Sequence, residues 1–570
     1  MIKRLKIGIG SCGLAAGAGE VFDFFKNNVQ QVEVVGVGCI GHCYAEPIIE
    51  VETEKGSVFY QKAQPTTAFL EKVINLHEYS RLIFPEERSK YELVKVTKLM
   101  GRINPVSIDE YLAQGGYQAL SKALSMSATD IIKEVKQSGL RGRGGAGFST
   151  GTKWELLHSK SVKEKVIICN ADEGDPGAFM DRSLMESIPH QILEGMLIAA
   201  YATGATQLLI YCRAEYPLAV RHLKKAISQI IARKLNNLNG YEISIKIKEG
   251  AGAFVCGEET AMIHSLEGKR GTPRFRPPYP TDYGYKGLPT MINNVETFAN
   301  IPIIINEGGR EFARIGTPKS KGTKIFALAG DLKYTGLVEV PMGITLGEIV
   351  YQIGGAEKEQ VKAVQIGGPS GGCIPAEFFD VQIDYDSLKS LGAIMGSGGL
   401  IVIGQDRCMV ETARYFLDFT TRESCGKCTF CRIGTKRMLE RIEKIIRGQG
   451  ELDDLNFLED LGQKTTKASL CGLGQSAPNP ILTTLRYFRT EYENHIVKKQ
   501  CQVLVCNALV EIYLDQEKCI ECGLCIKTCP VNAISDDYVI DNEICTRCNS
   551  CVEVCPKKVI TRIHGGGVRG

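Results

Sequence analysis

Half of the 22 cysteines fall into runs whose spacing suits iron–sulfur chemistry. Cys519, Cys522, Cys525 and Cys529 form C-x2-C-x2-C-x3-C closed by Pro530, and Cys545, Cys548, Cys551 and Cys555 repeat the run before Pro556. Thiolates are the ligands of cubane clusters, and in a doubled run the fourth Cys of each half ligates the other cluster. The spacing therefore assigns Cys519, Cys522, Cys525 and Cys555 to one [4Fe-4S] cluster and Cys545, Cys548, Cys551 and Cys529 to a second. Structural zinc would favour two separated Cys pairs over four Cys closed by Pro, twice. A third run, Cys425, Cys428 and Cys431, leaves one corner of a cubane open, and Cys471, 40 residues on, can fill it.

Two smaller groups have other chemistry. His495, Cys501 and Cys506 combine imidazole with thiolates, which suits tetrahedral zinc, with Cys408 as the candidate fourth ligand. Buried thiols without a metal are the alternative. Near the N-terminus, Gly8-x-Gly10-x-x-Gly13 raises a dinucleotide site, but the surrounding unit is too short for that fold, and Cys12 with Cys39-x3-Cys43 suggests another use. Cys169, Cys212, Cys256 and Cys373 stand singly in apolar or Gly-rich surroundings and read as core thiols.

Glycines carry a further signal. Residues 141–154 read Arg-Gly-Arg-Gly-Gly-Ala-Gly-Phe-Ser-Thr-Gly-Thr-Lys-Trp. Few side chains crowd the first half, so backbone N–H groups can approach a phosphate while Lys153 neutralises it. A tight turn explains many such loops, so its weight comes from three companion words at residues 169–178, 250–260 and 293–297.

The elements that must position these groups fit a chain of 570 residues with about four domains. A 44% hydrophobic and 23% charged composition excludes a disordered or fibrous chain. With 68 basic against 65 acidic residues there is no field to attract nucleic acid or an anionic membrane. The most apolar stretch, residues 196–211, is interrupted by Gly, Thr and Gln, short of a membrane span. Lys3, Arg4 and Lys6 precede a stretch too Gly-rich for a signal peptide, and the cysteines are too sparse for a disulfide scaffold, so the expected location is the cytoplasm.

Residues 4–9 and 32–37 read as strands around a helix at 20–27. Residues 86–98 and the Asn104-Pro105 turn read as a linker. A helix at 130–138 and a buried strand at 165–169 open a larger α/β region. Short strands separated by Gly and Pro occupy 323–404. The pattern turns helical over 410–492, as at 435–447, before the duplicated tail at 519–563.

The four glycine-and-carboxylate words and the third Cys run, in this order, closely resemble the flavin- and NADH-binding subunit of respiratory complex I and its relatives, over about residues 100–492. The resemblance implies FMN against Gly142, Gly144, Lys153, Asn170, Asp172, Asn293, Asn294 and Thr297. It implies NADH against Phe148, Glu173, Phe254, Gly257, Glu258 and Glu259, with the nicotinamide stacked on the flavin. Complex I members commonly have Tyr where this chain has Phe254, so a hydroxyl contact is missing. Acidic groups beside a ribose suit its hydroxyls and repel a 2′-phosphate, which favours NAD over NADP. A solvated loop is the plainer account of any one of them. The N-terminal segment resembles a thioredoxin-like [2Fe-2S] domain whose first ligand pair is C-x4-C. Here Ile7 stands five residues before Cys12, so Cys12, Cys39 and Cys43 are three of four thiolates, and the domain carries a [2Fe-2S] cluster or docks without one.

The whole chain resembles the beta subunit of multimeric NAD(P)-linked, often electron-bifurcating, iron–sulfur flavoenzymes such as [FeFe]-hydrogenases of anaerobes. That implies a multidomain α/β and α+β chain. Its parts would be thioredoxin-like (1–85), FMN/NADH-binding α/β (100–320), β-grasp, ubiquitin-like or SLBB-like (321–405), four-helix [4Fe-4S] (406–494), zinc linker (495–513) and bacterial 2[4Fe-4S] ferredoxin-like (514–570). Nicotinamides carry hydride, clusters carry single electrons, and a flavin handles both. The implied activity is NADH:acceptor (ferredoxin) oxidoreductase, at the bifurcating core of a complex with ferredoxin, a [2Fe-2S] thioredoxin-like small subunit and a large hydrogenase subunit. No nucleic acid or membrane takes part. Alternatives are the same module serving a formate dehydrogenase or an NAD/NADP transhydrogenase, or an electron-relay scaffold.

Overall fold

The computed structural model describes residues 1–80 and 90–565. They divide into two compact units, Met1–Ile403 with Leu470–Leu473, and Gly404–Ser469 with the chain from Gly474 onward. In the first unit β1 (Ile2–Gly8), β2 (Glu33–Val37), β3 (Ile49–Thr53) and β4 (Gly56–Tyr60) form a sheet ordered β2-β1-β3-β4, with β1 parallel to β2 and antiparallel to β3. The helix Ala18–Asn28 buries Val21 and Phe25 against Leu5 and Ile7. A small mixed sheet is not the open parallel sheet a dinucleotide fingerprint requires. Part of the linker expected at 86–98 lies outside the described residues. Its described end is pinned, because the backbone N–H groups of Lys95, Val96 and Thr97 all donate to the Glu339 carboxylate.

Next, β5 (Val166–Ala171) and β6 (Gln207–Arg213) are followed by a short hairpin of β7 (Asn237–Leu238) and β8 (Tyr241–Glu242), then β9 (Ser244–Gly250) and β10 (Thr290–Asn294). The long strands make an all-parallel sheet ordered β10-β5-β6-β9. β5 runs Val-Ile-Ile-Cys without alternation because both faces are covered, and Ile167 and Ile168 are each fully buried. The chain moves from β5 to β6 to β9 on one side and returns to β10 on the other. The direction of winding therefore reverses between β5 and β10, where open α/β sheets leave a crevice at the carboxyl ends of their strands.

A third sheet joins β11 (Thr323–Gly330), β12 (Gly336–Pro341), β13 (Val361–Ile366), β14 (Gly372–Pro375) and β15 (Gly399–Gly404) in the order β12-β11-β15-β13-β14. In the second unit the helices Met409–Arg422, Thr435–Ile446, Asp453–Ala468 and Asn479–Tyr487 enclose Leu417, Met438, Ile442, Leu458 and Ile481. The tail is closed by antiparallel β16 (Val510–Leu514) and β17 (Ile560–His564). Residues 495–513, expected as a linker, pack into the helical core through Cys501, Cys506 and Leu509. Among the described residues no helix is long and apolar enough to cross a membrane.

Candidate functional site

The carboxyl ends of the parallel strands bring the sequence words together. Asn170 closes on two of them, its Oδ1 accepting from Asp172 N and its Nδ2 donating to Gly257 O, each at 3.0 Å. Asp172 lies 3.6 Å from Arg213 at the end of β6. The Gly-rich loop passes the end of β10 so closely that a Cβ on Gly144 would stand 3.0 Å from Asn294 Cβ. Thr297 Oγ1 accepts from Arg143 N at 2.9 Å, and Lys153 donates to Glu259 and to Ile292 O. Gly142 N is turned back onto Phe148 O at 2.8 Å. Two buried oxygens here, Asn293 Oδ1 and Thr150 Oγ1, have no hydrogen-bond partner among the described residues. Buried polar atoms are rarely left so. With a glycine loop running into the helix Thr150–His158, this is a fitting cradle for a phosphate-bearing flavin.

The residues expected on the nicotinamide side are less uniform. Glu258 caps the helix Glu259–Leu266, accepting from Thr260 N and Ala261 N at 2.9 Å. Glu173 caps the helix Met180–Ser187 through Asp181 N (3.1 Å) and Arg182 N (3.0 Å). Glu259 is paired with Lys153 and lies 3.6 Å from Arg276. Phe148 is half exposed, whereas Phe254 packs where Gly174 has no side chain. The structure thus gathers these residues along one edge, with two of the three carboxylates engaged at helix ends.

Sequence reasoning missed the groups beneath the loop. Asp181 is buried, accepts from Asn294 Nδ2 and Glu296 N, and burial pushes its carboxyl well up. Lys324 and Glu296 form a fully buried ion pair, and Glu296 also accepts from Ile325 N at 3.0 Å. Tyr385 donates to Gly142 O at 2.8 Å and lies beneath Arg141, whose guanidinium is 4.2 Å from the ring centre. Asp175 accepts from Ser397 Oγ at 3.0 Å beside Gly368, and burial pushes its carboxyl up to about 7. The available signal was a lone charge inside an apolar run, as with Lys324 in Thr-Lys-Ile-Phe-Ala-Leu.

The tail holds two pockets. Cys519, Cys522, Cys525 and Cys555 line the first, and Cys529, Cys545, Cys548 and Cys551 the second, so the structure brings together the two crossed sets expected from the spacing. Backbone N–H groups of Glu521 and Arg547 donate to Cys519 and Cys545 Sγ, both at 3.4 Å, which echoes the duplication. In the helical part, Cys425 and Cys428 are half-buried before the turn Phe430–Gly434, and Cys431 is buried beside Ser424. Cys471 is buried and precedes the short helix Gly472–Ser476, whose Gly474 leaves room for Cys431.

Cys408, His495, Cys501 and Cys506 are all buried, with their ligand atoms within 4.8 Å of one another. Cys506 Sγ is 3.8 Å from Cys408 Sγ, and His495 Nε2 is 3.5 and 3.3 Å from Cys408 and Cys506. Zinc–sulfur and zinc–nitrogen bonds of about 2.3 and 2.0 Å at tetrahedral angles require separations of about 3.8 and 3.5 Å. His495 Nδ1 lies 2.7 Å from Glu491 O, an arrangement that leaves Nε2 to face the thiols. At the N-terminus, Cys12 is the second residue of the helix Ser11–Ala15, Cys39 and Cys43 approach it, and Arg182 stands 3.6 Å from Cys12 Sγ. A hydrogen bond from Cys43, aided by Arg182, brings the Cys12 thiol down to about 7 against burial. Cys169, Cys212, Cys256 and Cys373 are buried, as core thiols should be.

Residues 135–303 match the family described as the Nuo51 FMN-binding domain. Residues 411–495 match the NADH-ubiquinone oxidoreductase-F iron-sulfur binding region, and 512–535 and 538–561 each match a 4Fe-4S binding domain. The NADP-reducing hydrogenase subunit HndC of Solidesulfovibrio fructosivorans is 51% identical over 454 residues, covering 78% of this chain and 92% of that protein. The NADH-quinone oxidoreductase of Rhizobium meliloti has a subunit that is 43% identical over 401 residues, 69% of this chain and 95% of that one. A crystal structure of NAD+-reducing [NiFe]-hydrogenase in the H2-reduced state superposes with a TM-score of 0.64 at 30% identity, covering 86% of this chain and 84% of that one.

Proposed function

The chain belongs to the family of NADH-binding FMN iron–sulfur subunits of hydrogenase and complex I type, and from that premise we propose that the crevice between β5 and β10 is where a nicotinamide is oxidised or reduced. The observation that carries this is the convergence of four distant words at the carboxyl ends of one parallel sheet, at its point of reversal. A bound flavin would supply the conversion between a two-electron hydride and single electrons. Lys153 and the first turn of the helix Thr150–His158 would hold its phosphate, and Asn170, Asn293 and Asn294 its polar edge. Gly142 and Gly144 would let it lie against the backbone, with Asp172 and Thr297 fixing the two neighbouring words. Phe148, Phe254, Gly257 and the carboxylates Glu173, Glu258 and Glu259 would receive the nucleotide. Those carboxylates support NAD over NADP, although the relative HndC is named for NADP.

The full chain, prepared anaerobically, should carry one FMN and reduce a viologen with NADH. Glu259→Gln should raise the KM for NADH several-fold and leave flavin content intact. Full iron loading without flavin or NADH:viologen activity would reject this reading in favour of an electron-relay scaffold, a view that the helix-capping of Glu173 and Glu258 supports.

The cofactor set we infer is three [4Fe-4S] clusters on the twelve cysteines above, a [2Fe-2S] cluster at Cys12, Cys39 and Cys43, and zinc at Cys408, His495, Cys501 and Cys506. The tetrahedral separations support zinc, and Cys501→Ser with Cys506→Ser should release about one zinc per chain with iron unchanged. Iron lost together with those thiols would reassign them to a cluster. The architectural assignment is thioredoxin-like, FMN/NADH-binding, β-grasp, four-helix and ferredoxin-like parts in chain order. The further reading is a cytoplasmic, flavin-based bifurcating core with a hydrogenase large subunit, a thioredoxin-like small subunit and ferredoxin. The naming of HndC as part of a hydrogenase supports that partner over a formate dehydrogenase or transhydrogenase.

A further inference from the structure

The pattern Gly8-x-Gly10-x-x-Gly13 belongs to no nucleotide site in this fold, and its geometry leads elsewhere. Each glycine lies where another group leans on the loop that carries Cys12. A Cβ on Gly10 would come within 3.0 to 3.1 Å of Cys39 N, Cα and Cβ. A Cβ on Gly13 would stand 3.2 Å from Glu46 Oε2, and one on Gly8 would stand 3.4 Å from Glu46 Oε1. Gly13 is also pressed by Gly8 O. Cys39 and Glu46 thus both stand against the loop, alongside Ile40 at Gly8 and the loop's own carbonyl at Gly13.

Glu46 follows the turn Cys43–Ala45 and is only 4% exposed. Its Oε2 accepts from Ile48 N at 3.1 Å, and among the described residues no cation lies within ion-pair distance of it. A buried carboxylate without a counter-ion is unfavourable unless it is protonated or bound to a metal. The place where a fourth thiolate would be sought, Ile7, is fully buried in the sheet core beside Leu5 and Phe25. The fourth ligand must come from another element; of the two buried carboxylates at this loop, Glu186 is taken up by Ser11 N at 2.9 Å and by Ser11 Oγ, which leaves Glu46.

We propose that Glu46 supplies the fourth ligand of a [2Fe-2S] cluster on Cys12, Cys39 and Cys43, a site of three thiolates and one carboxylate oxygen. This rests on the reading of the N-terminal domain as a cluster carrier. Carboxylate and thiolate each bring one negative charge, so the exchange keeps the charge of the ligand set, and the Arg182 guanidinium beside Cys12 offsets part of it. Glu46 also explains why Cys43 is followed by Tyr-Ala-Glu-Pro, a turn that delivers the carboxylate three residues after the last thiol.

The test uses the full chain, reconstituted anaerobically, with iron counting and electron paramagnetic resonance after dithionite reduction. Wild type should hold about fourteen irons, about twelve in cubanes and two more, with a slowly relaxing signal distinct from those of the cubanes. Glu46→Ala should lose about two irons and that signal. Glu46→Cys should keep both but shift the g values towards those of an all-thiolate cluster, and it decides the matter if the alanine variant does not fold. If wild type lacks the extra irons and the signal, the cluster reading itself falls. If wild type has both and Glu46→Cys leaves the g values unchanged, the cluster stands and the role of Glu46 falls.

Discussion

Each pocket of the tail is lined by four thiols drawn from residues 519–555, whereas the crevice at the reversal of the parallel sheet gathers Gly142, Asn170, Asn294 and Tyr385 from across the first unit. The two regions also differ in what lies behind the working groups. The tail has a small apolar core of Ile512, Leu514, Ile534, Ile540 and Ile560, with cysteines as part of it. The crevice is backed by a large core that includes Ile167, Met291 and Phe298, and by a buried network of Asp181, Glu296 and Lys324. Metal–thiolate bonds can organise a small domain that has little else, since binding free energy then serves as folding free energy. A non-covalently held flavin cannot do this, so its pocket must be rigid beforehand.

Removing a ligand from the tail is accordingly the sharpest way to break the comparison. Cys551→Ser should strip the second cubane and, because the sets are crossed, leave Cys529 without its cluster and loosen the first. We expect a loss of about four to eight irons, protease sensitivity confined to the tail, and unchanged flavin content. A tail that stays protease-resistant without its clusters would show that its apolar core suffices.

The converse experiment strikes the network under the crevice. Lys324→Met leaves Glu296 buried without its cation, an uncompensated charge that costs about 3–5 kcal/mol. The expected result is loss of flavin and a lower unfolding midpoint for the first unit, with the iron of the tail retained. Replacing both partners, Lys324→Met with Glu296→Leu, should recover part of the midpoint but not the hydrogen bond to Ile325 N. Equal loss of iron and flavin in Lys324→Met would mean that the two regions fold as one.

This contrast also explains what the sequence made legible. Cys519 to Cys555 announce their chemistry because residue type, spacing and order are all local and the run recurs at an offset of 26 residues. The strands read at 165–169 and 32–37 and the helices read at 20–27 and 130–138 are, in the fold, Val166–Ala171, Glu33–Val37, Ala18–Asn28 and Ala128–Gln137. The cluster of Cys408, His495, Cys501 and Cys506 was legible as a candidate set, but what brings Cys408 to the other three is the packing of the helix Met409–Arg422. Asp181 and Tyr385 were not legible, because each acts through a partner far away in the chain. The packing of residues 495–513 was hidden for the same reason, their thiols facing a core assembled from distant helices.

The smallest effect should come from Asp175, and it sharpens the comparison by acting on the crevice alone. Its carboxyl is enclosed by Gly368 and Ser397, and burial, with Glu173 nearby, raises it to about 7 despite Arg213. A carboxyl whose pKa is higher in the folded than in the unfolded chain holds its proton more tightly when folded. The stability it contributes is present below the ordinary Asp value of about 4 and is lost as pH rises from there through the folded value, levelling off above it. The wild-type first unit should therefore release flavin at progressively lower temperature between about pH 5 and 7. Asp175→Asn, which keeps the shape without the titration, should flatten that slope and gain most over wild type above pH 7. Other titrating groups act in both proteins, so the difference between the two profiles isolates this carboxyl. Iron retention in the tail should show no such difference between variant and wild type. Parallel profiles would mean that Asp175 stays ionised in the fold, held by Arg213 and Ser397.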